Sequence, residues 1–134
     1  MTPTSTAAVL RPAREDHLAR LRFPALGAVV TLTTPAAVAP TVEAAIRGVF
    51  QDADQRFSPW RRGGEAQRVA CGALSARDAS PEFRAVYDLA TAWRFRTRNA
   101  WTPRRRDGRL DLAGLARFLA FEEASGLLTR RRQR

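Results

Sequence analysis

The sequence predicts an α+β fold, with helices packed on a partial, mainly antiparallel sheet. Two observations carry this reading. A run of β-forming residues, Val29 to Thr33, lies ahead of every helical segment. Three later stretches then place apolar residues at helical spacing, around Val42–Phe57, Phe83–Trp93 and Leu112–Leu127. Three helices and one or two strands are a lean inventory for closing a core, so the sheet is one that these residues only begin.

Residues 1–18 mix Thr, Pro, Ala and charges without periodicity and read as a flexible leader, near whose end lies the single histidine, His17. With no second ligand type beside it, His17 reads as a solvated loop residue, because metal sites need clustered ligands. From Leu21 to Thr34 the β-formers follow Pro24 and Gly27 and stop at Pro35, which predicts one strand or a bent hairpin. Pro40-Thr41 opens an amphipathic helix that runs to about Arg56. Its apolar stripe is Val42, Ala45, Ile46, Val49, Phe50, Ala53 and Phe57. Glu43, Arg47, Asp52 and Asp54 fall on the other face; the helical period makes them a solvated face rather than a paired-carboxylate site.

Ser58-Pro59 breaks that helix and Gly63-Gly64 follows. Glu65 to Val69 reads as a short helical turn, and Ala73-Leu74-Ser75 as a brief strand. Ser80-Pro81-Glu82 is a helix opening, with Ser as N-cap and Pro in the first turn. Phe83, Val86, Tyr87, Ala90 and Trp93 form the buried stripe, and Asn99 ends the helix as a left-handed terminator. A loop over 100–109 leads into the last helix, where Leu112, Leu115, Ala116, Leu119, Ala124 and Leu127 face inward. At its entrance Asp111 and Gly114 are followed one turn on by Arg117; unpaired N–H groups and a positive dipole end make such an entrance receptive to anions. Residues 129–134 read as a basic tail, which leaves 19–128 as the domain.

Composition bounds the partners. The chain has 134 residues, 45% hydrophobic, which suits one small domain. Its 23 Lys+Arg are all arginine and face 13 acids, a formal net charge of +10 that attracts anionic ligands. The clusters Arg61-Arg62, Arg104-Arg105-Arg106 and Arg130-Arg131-Arg132 lie far apart in sequence, without helix-turn-helix, zinc-finger or aromatic RNA-binding patterns, so a nucleic-acid partner is not expected. Cys71, the only cysteine, excludes an internal disulfide and reads as an incidental loop residue. No apolar run approaches the ~18 residues of a membrane span, and Met1 to Val9 lacks a secretory signal's cationic start. A cytoplasmic location is expected, with no membrane partner.

Four segments in order carry a family resemblance: Phe23-Pro24-Ala25-Leu26-Gly27-Ala28, then Phe57-Ser58-Pro59-Trp60 with Glu65, then Asn99-Ala100-Trp101-Thr102-Pro103, then Asp111 to Glu122. Together they resemble the FAD:protein FMN transferases, the ApbE-type flavin transferases. The resemblance covers 21–128. It implies cleavage of the pyrophosphate of FAD, transfer of FMN to a threonine of an acceptor protein, and release of AMP, with Mg²⁺ neutralising the phosphates. It assigns cofactor contacts to Leu26, Trp60, Ala100, Trp101, Thr102, Asp111 and Arg117, and a place near the metal to Gly114.

The departures are specific. Thr102 replaces an aspartate, Ala113 a glycine, Arg117 a lysine, and Phe118 a glycine next to the cofactor slot. Members of the family continue for about as many residues again, with an Asp/Thr cluster that completes the metal site. Transfer by this chain alone is therefore expected to be impaired. The alternative is a non-catalytic, flavin-binding or partner-binding remnant of the family, self-associating through uncovered apolar surface.

Overall fold

Strands β1 (Ala19–Ala25) and β2 (Ala28–Thr34) form an antiparallel hairpin closed by the two-residue turn Leu26-Gly27. The computed structural model describes residues 18–132; His17, the rest of the leader and residues 133–134 lie outside the described residues. Both turn residues have positive φ, 54° and 73°, the twist that a two-residue hairpin favours. Side chains alternate cleanly. Phe23, Ala25 and Val30 are buried on one face, while Arg20, Arg22, Thr31 and Thr33 meet water on the other. The pair closing such a turn is hydrogen-bonded, and pairs alternate along the ladder. Pro24, one step on, therefore stands where its missing N–H faces the open edge and blunts it against further pairing.

The helices cover the buried face of the hairpin. Helix α1 (Pro40–Phe57) buries Val42, Ile46, Phe50 and Phe57. Helix α2 (Glu65–Ala70) is short, residues 73–74 form a bend where a brief strand was expected, and a 3-10 turn follows at Ala76–Asp78. Helix α3 (Pro81–Arg96) opens on the Ser80 cap, whose Oγ accepts the Phe83 N–H at 3.2 Å. Helix α4 (Ala113–Arg132) extends into the segment that read as a tail, as far as Arg132. Its Ala116, Ala120 and Ala124 are buried at helical spacing, and small side chains there let α1 approach closely. Four helices on a two-stranded antiparallel sheet, among the described residues, make this an α+β fold.

The core has two neighbouring parts bridged by half-buried Ala53. Under the sheet, Phe50 meets Phe23 and Phe121 edge-on, with ring centres 5.2 and 5.1 Å apart. Under the turn, Leu26 joins Phe57, Phe83, Ala90, Leu112 and Ala116, with Phe57 and Phe83 stacked at 5.5 Å. Ser80 ties three helices: its Oγ donates to Glu65 Oε1 at 2.5 Å and accepts from Arg56 at 3.1 Å.

Leu26 is the unusual residue. A fully buried leucine at positive φ carries about 1–2 kcal/mol of backbone strain. Two charged side chains hold it there. Its N–H donates to Asp54 Oδ1 at 2.8 Å, and its carbonyl accepts from Arg117 at 2.9 Å. Hydrogen bonds to charged groups are worth roughly 1.5–3 kcal/mol each, which outweighs the strain. Asp54→Ala is expected to destabilise the chain by about 1–3 kcal/mol in urea denaturation. Leu26→Gly relieves the strain but loses roughly 2–5 kcal/mol of packing, so a net loss of stability is expected.

Candidate functional site

The turn that needs Leu26 also builds the first wall of the site. Asp54 holds the Leu26 N–H with one oxygen and forms an ion pair with Arg61 through the other. That pairing fixes the segment after α1, and with it Trp60, against the turn. The fit is close: a Cβ on Gly27 would lie 2.7 Å from the Trp60 ring. Trp60 is nonetheless 57% exposed. The Arg105 guanidinium lies 5.7 Å from its centre, at the outer reach of a cation–π contact.

Arg105 belongs to a tight hairpin between α3 and α4. The Arg105 carbonyl accepts the Gly108 N–H at 2.9 Å, and the Arg105 N–H donates to the Arg109 carbonyl at 2.9 Å. Gly108 has φ of 84°, as a type I turn closed by a glycine bulge requires. Below the turn an isolated bridge pairs Arg104 with Leu110, and the Asp111 N–H donates to the Pro103 carbonyl at 2.7 Å. The loop is thus hydrogen-bonded along its length, and Asp107-Gly108 is the sequence signal that specifies it.

Between this hairpin, the end of α3 and the start of α4 lies an open groove of about 520 Å³. Trp93, Trp101 and Phe118 supply its aromatic surface; Arg104, Arg105 and Asp111 supply charge; Thr102, Pro103, Gly114 and Leu115 complete it. Asp111 Oδ1 accepts the Ala113 N–H at 3.0 Å, which caps the first turn of α4 and orients the carboxylate. Nothing lies within 4 Å of the place a Gly114 Cβ would take, so that position opens on the groove. A second hollow of 510 Å³ lies at the opposite end of the strands, against Thr33–Val42, Leu128 and Thr129. It takes none of the residues singled out by sequence.

Those residues divide into two sets. Trp101, Thr102, Asp111 and Gly114 line the groove together. Trp60 adjoins it through Arg105, from a distant part of the chain. Ala100 is exposed in the same loop without lining the groove. Leu26 and Arg117 lie beneath: Leu26 is fully buried in the core, and Arg117 spends its guanidinium on the Leu26 carbonyl while its Nε is buried without a partner.

Six lining residues were not among the expected contacts: Pro103 and Leu115, and four with aromatic or charged side chains. Trp93 read as core, but the stripe of α3 ends at Ala90 and Trp93 is 46% exposed. Phe118 is 58% exposed and lines the groove. Arg104 and Arg105 were hidden within an arginine run; only the Asp-Gly turn beside them distinguishes them.

The donor set for a divalent ion is thin. Among the described residues no three His, Cys, Asp or Glu side chains gather in a group able to hold a metal. The groove offers the Asp111 carboxylate, and the Gly114 carbonyl is part of the helical ladder of α4. Magnesium takes about six oxygen ligands, several of them water, and the groove residues alone do not fit a resident site. Among the described residues no helix is long and apolar enough to cross a membrane.

Gly27→Ala tests the first wall. The added methyl collides with Trp60 at a positive-φ position, so the ring is expected to swing away, with a stability loss of about 1 kcal/mol or more. A red shift in tryptophan emission, absent when Trp60 is already replaced by Phe, checks it. The site stands on its geometry alone, since comparison with protein-family models, with curated proteins and with solved structures finds no match.

Proposed function

We propose that this chain binds the dinucleotide FAD and belongs to the FMN-transferase lineage that its motifs resemble. The observation that carries the reading is the place of Arg105. Its guanidinium lines the aromatic groove and also lies over the Trp60 ring. FAD has two flat ring systems joined by a pyrophosphate. Two aromatic surfaces with an arginine between them match that layout. Arg105 has no ion-pair partner among the described residues, so its charge is available to phosphate.

In this reading one ring system stacks in the groove on Trp101 and Trp93, and the other packs against the exposed part of the Trp60 ring. Arg105, with Arg104 beside it, neutralises the phosphates between them. The second oxygen of Asp111 accepts a hydrogen bond from the ligand, while Oδ1 keeps the helix cap. Gly114 gives close backbone approach. Leu26 and Arg117 hold the wall rather than the ligand. The Mg²⁺ that the transfer reaction uses requires acids beyond those of the groove. Binding without efficient transfer to an acceptor threonine is accordingly the activity of this chain by itself.

FAD titration followed by quenching of flavin fluorescence tests this. Trp101→Ala and Arg105→Ala are each expected to weaken binding about fivefold or more, the scale of one stacked ring or one charge-assisted contact. Arg105→Ala should also shrink the preference for FAD over FMN. Gly114→Leu separates fold from ligand: a leucine favours the helix by roughly 0.8 kcal/mol over glycine, and its side chain fills the groove. A more stable chain that no longer binds FAD is expected. A wild-type chain without saturable FAD binding, or a Gly114→Leu variant that binds unchanged, would remove the reading.

A further inference from the structure

From Trp93 to Arg109 the chain carries seven arginines and three aromatics against one acid, Asp107. Seven cations less one acid leave six of the formal +10 in this stretch. The end of α3 and the hairpin that follows bring part of them together. Trp93, Arg104 and Arg105 line one groove, and Arg96 shares the face of α3 that carries Trp93, three positions away. Arg94, Arg96, Arg98, Arg105, Arg106 and Arg109 are all exposed. The ion pairs formed among the described residues use Arg47, Arg56 and Arg61, none of them here. Arg94 bonds to the neutral Asn99 side chain, and Arg104 to the Gly108 carbonyl.

So concentrated a charge repels itself unless an anion covers it. The aromatic rings say which anion. Phe95 is 78% exposed, and Trp93 and Trp101 show 46% and 38% of their surface. They are spread over a helix end, a loop and a groove, interleaved with arginine, instead of forming one apolar face that could enter a lipid surface. Exposed rings beside phosphate-seeking cations are what unpaired bases need. A duplex keeps its bases stacked inside and cannot use them. We infer that the Trp93–Arg109 surface binds single-stranded nucleic acid, with bases on Trp93 and Trp101, which line one groove, and phosphates along the neighbouring arginines. This does not rest on the flavin reading, although both ligands use the groove.

The full chain is mixed with labelled single-stranded RNA and DNA of about 12 nucleotides, with the corresponding duplex, and with vesicles containing anionic phospholipid. Retention of either single strand in preference to duplex and vesicles is expected. Four phosphate contacts would give a slope of log K against log salt of about −2.8, or roughly fiftyfold weaker binding for a fourfold rise in salt. The triple variant Arg96→Ala, Arg106→Ala, Arg109→Ala alters only exposed side chains and should flatten the slope by about 2. Trp93→Ala should weaken binding about fivefold or more, with Trp93→Phe restoring most of it.

An unchanged slope in the triple variant, equal retention of duplex, or preference for the vesicles would overturn the inference. FAD titration of the same proteins keeps the two readings apart. If the wild-type chain retains oligonucleotide but not FAD, the flavin reading falls and this one stands. If the triple variant keeps FAD affinity and the wild-type chain never retained oligonucleotide, the reverse holds.

Discussion

The placement of the Trp60 wall beside the groove depends on one backbone conformation, that of Leu26. A leucine at positive φ is tolerable only where its surroundings over-determine it. Here burial draws the side chain into the core, Asp54 holds the N–H, and Arg117 holds the carbonyl. The three come from β1–β2, α1 and α4, so the turn is the point where hairpin, first helix and last helix are registered to one another. The ion pair of Asp54 with Arg61 carries that register into the segment bearing Trp60. A change at any of these groups moves the aromatic wall without touching a ligand.

The arginines follow a division of labour that their number in the sequence conceals. Arg117 is partly buried and donates to the Leu26 carbonyl. Arg47, Arg56 and Arg61 neutralise Glu43, Glu82 and Asp54 on or beside α1. Exposed pairs of this kind contribute little stability, usually below about 1 kcal/mol. The arginines between Trp93 and Arg109 have no carboxylate partners among the described residues and do not explain the fold. Their charge is surplus to structure, and that surplus makes the surface a candidate for phosphate.

Much of the architecture was legible because it follows from local periodicity. Pro40 and the spacing from Val42 to Phe57 specify α1; Ser80-Pro81 specifies α3; the alternation from Leu21 to Thr34 with Gly27 specifies the hairpin. What the sequence concealed depended on contacts between distant segments. Leu26 matched a cofactor-contacting position, yet nothing local reveals that Asp54 and Arg117 would bracket it as core. Trp93 continued an apolar stripe whose burial ends one turn earlier, because the last turn of α3 has the open groove beside it. Ala73-Leu74-Ser75 had strand-like residues but no partner strand, and the chain turned instead. Asp111 was readable from both sides: it caps α4, and its remaining oxygen faces the groove region.

Helix α4 shows why stability and binding are separable in this chain. Ala116, Ala120 and Ala124 occupy the stripe against α1, and their small size sets the closeness of that packing. Gly114 and Phe118, four residues apart, form a different stripe that borders the groove. Arg117 lies between the two and reaches the turn. A substitution in the alanine stripe must displace α1 and so disturbs the core, whereas one at Gly114 meets open space and is limited only by what the groove must admit. The glycine costs the helix about 1 kcal/mol relative to alanine, and no contact within the fold requires it. Open space at Gly48 and Gly126 shows that a glycine without steric cause is not unusual in this chain. Position 114 differs from those two in lying beside Trp101 and Asp111, so the space left there is part of the groove and is what the proposed ligand would use.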